Sequence, residues 1–85
     1  MIHRIYVNIM PHEALLDPAG KATQAALVQL GFDAISQTRI GKRIRLEVEA
    51  PSLDAAMAQA KAAAEQLLIN SVIETFSLEA EVPSA

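Results

Sequence analysis

Apolar and polar residues first fall into a strand pattern over Ile2 to Met10, with Ile5, Val7 and Ile9 on one face and Ile2, Tyr6 and Met10 on the other. Both faces are therefore apolar in part. Pro11 to Leu16 reads as a connection. Asp17 then caps a helix that opens at Pro18, where a missing N–H does no harm, and closes at Gly31. Ala22, Ala26 and Leu30, with Leu27 beside them, give this helix a narrow stripe of small apolar residues. Ala34 to Ile40 and Arg43 to Ala50 read as two strands joined at Gly41-Lys42, where glycine suits the positive φ of a tight hairpin. In the latter strand Ile44, Leu46 and Val48 alternate with Arg43, Arg45, Glu47 and Glu49. The pairing register stays open: one turn places Arg39 and Gln37 opposite Ile44 and Leu46, a longer one Thr38 and Ser36.

Ser52 caps a second, alanine-rich helix from Leu53 to Ile69, with Leu53, Met57, Ala60, Ala64, Leu67 and Leu68 as its buried stripe and Asn70 as a left-handed terminator. Val72 to about Val82 is a last strand, with Glu74 sharing the parity of Val72 and Phe76, and residues 83–85 should fray. The order β-α-β-β-α-β over residues 1–82 predicts one α+β domain, a ferredoxin-like two-layer sandwich with two helices on one face of an antiparallel sheet. Two helices leave the other face open, so Ile2, Tyr6 and Met10 become a candidate oligomer interface.

Composition narrows the class. At 85 residues and 52% apolar, the chain is too hydrophobic for a disordered tail, yet its apolar runs fall short of the roughly 20 residues that span a bilayer. The first residues lack the pattern of a secretory signal, so the expectation is a cytoplasmic domain without a membrane partner. With no cysteine, neither a disulfide framework nor a thiolate metal site is available. A net charge of −3 and only three aromatic residues, Tyr6, Phe32 and Phe76, argue against a nucleic-acid partner.

Candidate chemistry is sparse. His12-Glu13 could form an acid–base pair or be a solvated turn, and His3 has no Cys or His neighbour with ligand spacing. Gly20, Gly31 and Gly41 lack phosphate-loop spacing. Arg39, Lys42, Arg43 and Arg45 cluster near the expected hairpin, either as a patch for an acidic partner or as solvated charges, and Glu74 should meet a cation within the domain or oligomer. No nucleophile–base pair, metal set or cofactor loop stands out, which suits an assembly or binding module rather than an enzyme.

Three stretches carry more than periodicity. Leu16-Asp17-Pro18-Ala19-Gly20-Lys21-Ala22, then Arg39-Ile40-Gly41-Lys42, then Leu67-Leu68-Ile69-Asn70-Ser71-Val72-Ile73-Glu74 resemble, in order, the LDPxGxA, RxGK and LLxNxVIE segments of the PurS family. Met10-Pro11-His12 and Ala19 depart from that pattern. The resemblance implies a non-catalytic subunit of phosphoribosylformylglycinamidine synthase, the glutamine- and ATP-dependent ligase of de novo purine biosynthesis. It implies self-association as a dimer or tetramer, a bridge between a PurQ-type glutaminase and a PurL-type synthetase, and support of ammonia transfer between them. ATP, Mg and glutamine would be used by the partners, with no cofactor in this subunit. Asp17, Pro18, Gly20, Arg39, Gly41, Lys42, Asn70 and Glu74 are the motif positions carried over, with Arg39 and Lys42 expected to touch a partner. An ACT-like small-molecule sensor shares the same element order and is the alternative.

Overall fold

The computed structural model describes residues 1–81 and builds them around one central strand. β1 (Ile2–Pro11) pairs antiparallel with β2 (Lys42–Glu49) on one side and β3 (Glu74–Ala80) on the other. The register sets Val7 opposite Ile44 and Leu78, and Ile5 opposite Leu46 and Ala80. Side chains directly opposite one another share a face, so one side of the sheet is continuously aliphatic. The helix α2 (Leu53–Ala63), capped by the Ser52 hydroxyl accepting from Ala55 N–H at 3.1 Å, lies on that side. Ile5, Val7 and Ile9 are fully buried beneath it, while Ile44, Leu46, Val48, Phe76, Leu78 and Ala80 on the flanking strands are half-buried. A single helix covers the centre of the sheet and leaves its margins partly open.

The face that α2 turns to the sheet is Ala56, Ala60 and Ala64, all buried at spacings of four. Of the expected stripe, Ala60 and Ala64 are buried and Met57 and Leu68 pack against the core, whereas Leu53 is 45% and Leu67 81% exposed. Alanine at the contact lets the helix backbone come close to the strands. The helix ends in a π-helical turn, Ala64–Leu68, whose wider winding shifts the phase of the last side chains. Leu68 and Ile69 thereby reach Val7 and Ile9 while Leu67 swings outward.

The α+β class and the ferredoxin-like arrangement hold, with two departures at one edge. Residues 34–40 join no ladder, so the expected strand and its hairpin are absent, and β2 pairs with β1 alone. The physical reason is that these backbone groups are satisfied elsewhere. Gly41 does not take the positive φ of a tight turn; among the described residues only Gly31 does, at +96°. Asp17 takes the Ile40 N–H at 2.9 Å, and the Gln24 amide binds the Ile35 carbonyl and the Thr38 hydroxyl. The segment thus runs back along α1 (Pro18–Gln29).

The second departure concerns that helix. It starts and stops as its sequence predicts, with the Asp17 cap, Pro18 in the first turn and Gly31 beyond its end. Yet Gly20 is its one buried residue, and the expected stripe of Ala22, Ala26 and Leu30 is exposed. α2 alone packs on the sheet of its own chain. Asn70 is also not left-handed: its side chain accepts from Val72 N–H at 3.1 Å and its carbonyl from Glu74 N–H at 2.8 Å, which turns the chain directly into β3. The expected last strand is trimmed to Glu74–Ala80, and residues 82–85, with the expected fraying at 83–85, lie outside the described residues.

The open sheet face is more polar than its apolar positions suggested. Arg4, between Ile2 and Tyr6, bridges Glu47 and Glu81 at 3.1 Å each. Arg43 stacks 3.9 Å from the Tyr6 ring centroid and pairs with Glu79 at 3.1 Å. Ile2 and Met10, at 65% and 41% exposure, frame this ladder of charges.

Candidate functional site

Three stretches far apart in sequence meet at one end of the sheet, where β1 finishes and β2, β3 and α1 begin. Asp17 is its organiser. As the cap of α1 it accepts from Gly20 N–H at 3.0 Å, and its second oxygen accepts from Ile40 N–H at 2.9 Å, so one buried carboxylate fixes the first motif to the second. These two backbone donors, Ile40 first and Gly20 next, hold its pKa below the ordinary aspartate value. Gly20 has to be glycine because a Cβ there would run into the Thr38 carbonyl and the Asp17 carboxylate. Gly41 is required for closeness as well: a Cβ would collide with the Ile9 carbonyl and the Met10 sulfur.

Arg39 reaches across the same junction. Its guanidinium donates to the Leu15 carbonyl at 3.0 Å and the His12 carbonyl at 2.5 Å, clamping the loop of residues 12–17 against the end of the sheet. That is an internal duty which the charge cluster in the sequence did not reveal. Lys42 approaches Glu74 at 3.8 Å with its own side chain 59% exposed. Glu74 also accepts from Asn70 N–H at 2.8 Å, and Lys42 is the cation expected for it, found within the domain. Pro11, Leu16, Pro18, Ile40 and Gly41 line the small hollow between Asp17 and the Lys42–Glu74 pair. All eight motif residues are thus brought to one end, whereas Ile2 and Tyr6 lie along the open face and Met10 lies on that face at the same end.

Sequence reasoning missed the contribution of the first loop. Its exposed residues Glu13, Ala14 and Leu15 stand beside Val72, 79% exposed, around an open cleft of about 780 Å³. The polarity of these positions gave no signal; their importance comes from Arg39, which holds their backbone. The His12 ring lies 3.5 Å from the Ser71 carbonyl, and Glu13 beside it faces solvent. His3 has a buried Nε2 without a hydrogen-bond partner on the helix-facing side of β1. Among the described residues no three His, Asp or Glu side chains gather as a metal would require, and no helix is long and apolar enough to cross a membrane. The arrangement presents an ordered, partly apolar rim carrying one exposed cation, a geometry suited to contact with another macromolecule.

Residues 4–82 match the family model described as PurS, phosphoribosylformylglycinamidine (FGAM) synthase. The PurS subunit of that synthase from Synechocystis sp. is 50% identical over 76 residues, covering 89% of this chain and 74% of the relative. The crystal structure of the Thermotoga maritima PurS subunit superposes with a TM-score of 0.89 at 27% identity, covering 95% of this chain and 93% of the other. A chain in the structure described as PurLQS from the same organism gives 0.88 at 27% identity, with 95% and 99% covered.

Proposed function

Because the chain belongs to the PurS family of phosphoribosylformylglycinamidine synthase subunits, we propose that it acts as the non-catalytic assembly subunit of that enzyme, self-associating and bridging a PurL-type synthetase to a PurQ-type glutaminase. One observation carries the reading: the three family motifs converge on a single ordered end of the sheet, where Asp17 and Arg39 fix an exposed loop instead of serving a reacting group. A surface built in this way holds its shape before a partner arrives, so little ordering entropy is lost on docking. The relation to a PurLQS structure supports a role inside such an assembly.

In this reading the glutaminase hydrolyses glutamine to glutamate and ammonia, and the synthetase uses ATP and Mg to activate the amide oxygen of formylglycinamide ribonucleotide. The present chain binds none of these. It keeps the two active sites in register so that ammonia passes between them before water dilutes it, and it works in the cytoplasm with its partners. The loop of residues 12–17 and Lys42 form the proposed contact with one of them. The ACT-type alternative has no observation of its own in support.

Reconstitution tests this. Glutamine-dependent amidotransfer by purified synthetase and glutaminase should require the chain, while ammonia-dependent turnover by the synthetase should survive its omission. Unchanged glutamine-dependent activity without the chain would remove the assembly role.

A further inference from the structure

We propose that the cleft beside the first loop receives an acidic side chain, Asp or Glu with apolar neighbours, from another subunit of the synthase, and that Arg39 is the cation that meets it. The contact rests on the assembly role stated above and gives that surface a chemistry. Arg39 points to it because its charge has no counter-charge. A guanidinium carries five N–H donors, and here the bonds it makes go to the His12 and Leu15 carbonyls, which are dipoles and not anions. Its Nε–H is buried without an acceptor. Among the described residues Lys21, Arg45 and Lys61 also form no ion pair, but those three are exposed to water, whereas Arg39 is half-buried.

The chain's own carboxylates do not fill this role. Asp17 is near enough for Arg39 to help hold its pKa down, but its two oxygens are taken by the Gly20 and Ile40 N–H groups and it forms no ion pair with Arg39. Glu13 lies on the rim of the cleft with its side chain in solvent. A cation held out of water without an anion destabilises the unbound chain, and an arriving carboxylate relieves that cost. Hydrogen bonds between guanidinium and carboxylate are about twice as strong as neutral ones, so the contact favours an acid over an amide at the same place.

The walls of the cleft say what carries the acid. Beside Arg39 they are Met10, Pro11, Ala14, Leu15 and Val72, around about 780 Å³, within the range of roughly 300–1,000 Å³ typical of ligand sites. A bare anion would leave these apolar side chains wet, whereas a protein segment with apolar residues beside its acid covers them. The Thr75 hydroxyl lines the same cleft, held only loosely at 3.5 Å from the Met10 carbonyl, and can donate to a second carboxylate oxygen. Glu13 on the rim opposes a dianion, and the first N–H groups of α1 face the Asp17 cap, so a singly charged carboxylate fits better than a phosphate.

Val72 is exposed on the rim, so a charge of either sign can be placed there while the core and the Arg39 clamp stay intact. Full-length Val72→Lys and Val72→Glu chains are titrated against purified synthetase and against purified glutaminase. Both lose the same valine contacts, so the ratio of their Kd values reports charge alone. Val72→Lys should bind one of the two subunits about tenfold tighter than Val72→Glu at low salt, and the ratio should shrink towards one in about 0.5 M NaCl. The same pair at Ala58, exposed on α2, should give a ratio near one. At Arg39 itself, Lys should be retained about tenfold better than Gln, since both lose the fork and only Lys keeps the charge. A Val72 ratio near one, reversed, or matched at Ala58 overturns the contact, as do equal affinities for Arg39→Lys and Arg39→Gln. A ratio found in self-association instead of subunit binding gives the cleft to a second copy and overturns it too. Binding to neither subunit removes the assembly role and the contact together; binding that supports glutamine-dependent turnover without charge preference at Val72 removes the contact alone.

Discussion

At the scale of single residues, alternation along β1 decides what each substitution costs. Ile5 is fully buried between α2 and both flanking strands, while Ile2, three residues earlier on the opposite face, is 65% exposed. Ile5→Ala should therefore lose about 2–5 kcal/mol in urea unfolding, and Ile2→Ala less than about 0.5 kcal/mol. Asp17 gives a pH-dependent counterpart. Its folded pKa lies below its ordinary value, so the unfolded chain takes up its proton first as the solution is acidified. The stability it contributes is complete above the ordinary carboxylate pKa of about 4 and is lost as pH falls through the depressed folded value. Asp17→Asn should accordingly be clearly less stable than the parent at pH 7, with the gap narrowing on acidification below about pH 4. A gap that stays constant with pH in denaturant titrations would show that the carboxylate charge is not what holds Gly20 and Ile40.

Whole elements were legible where their own residues decide the outcome. The caps at Asp17 and Ser52, the stop at Gly31 and the parity of β1, β2 and β3 follow from local chemistry, and all are present. What the sequence hid were choices between competing partners. Residues 34–40 have strand-like composition, but Asp17 and Gln24 supply their hydrogen bonds, and no local pattern announces a partner up to 23 residues away. The gathering of the motif residues at one end was equally beyond periodicity, since it depends on Arg39 reaching the His12 and Leu15 carbonyls. Along the second helix the expected stripe was right at Ala60 and Ala64, which are buried, and too generous at Leu53 and Leu67, which are exposed. Ala60→Leu should push the helix off the strands and cost about 1–3 kcal/mol, whereas Leu67→Ala, at an 81% exposed position, should change the stability of the isolated chain by less than about 0.5 kcal/mol. Chemical denaturation of the two variants against the parent distinguishes an alanine-lined contact from a leucine-lined one.

For the whole molecule, stability and assembly become one question. A compact domain of this size already buries only a little over half of its unfolded surface, and this chain spreads further, with one helix of its own over a three-stranded sheet. Its fully buried core of large side chains is Ile5, Val7 and Ile9, too few to hold an 85-residue chain comfortably by themselves. If a second copy completes the sandwich, folding and dimerisation are a single equilibrium and the midpoint of thermal unfolding depends on concentration. Tenfold dilution weakens a dimer by about 1.4 kcal/mol, and with the unfolding entropy of two such chains this lowers Tm by about 4 °C. A lone folded monomer would show no shift. Calorimetry across a hundredfold range of chain concentration should therefore move Tm by about 8 °C. Arg43→Ala should leave that slope intact, because the Arg43–Glu79 pair is solvent-exposed on the open face and such pairs contribute at most about 1 kcal/mol. A slope abolished by this variant would instead place the contact between copies on the charged face of the sheet.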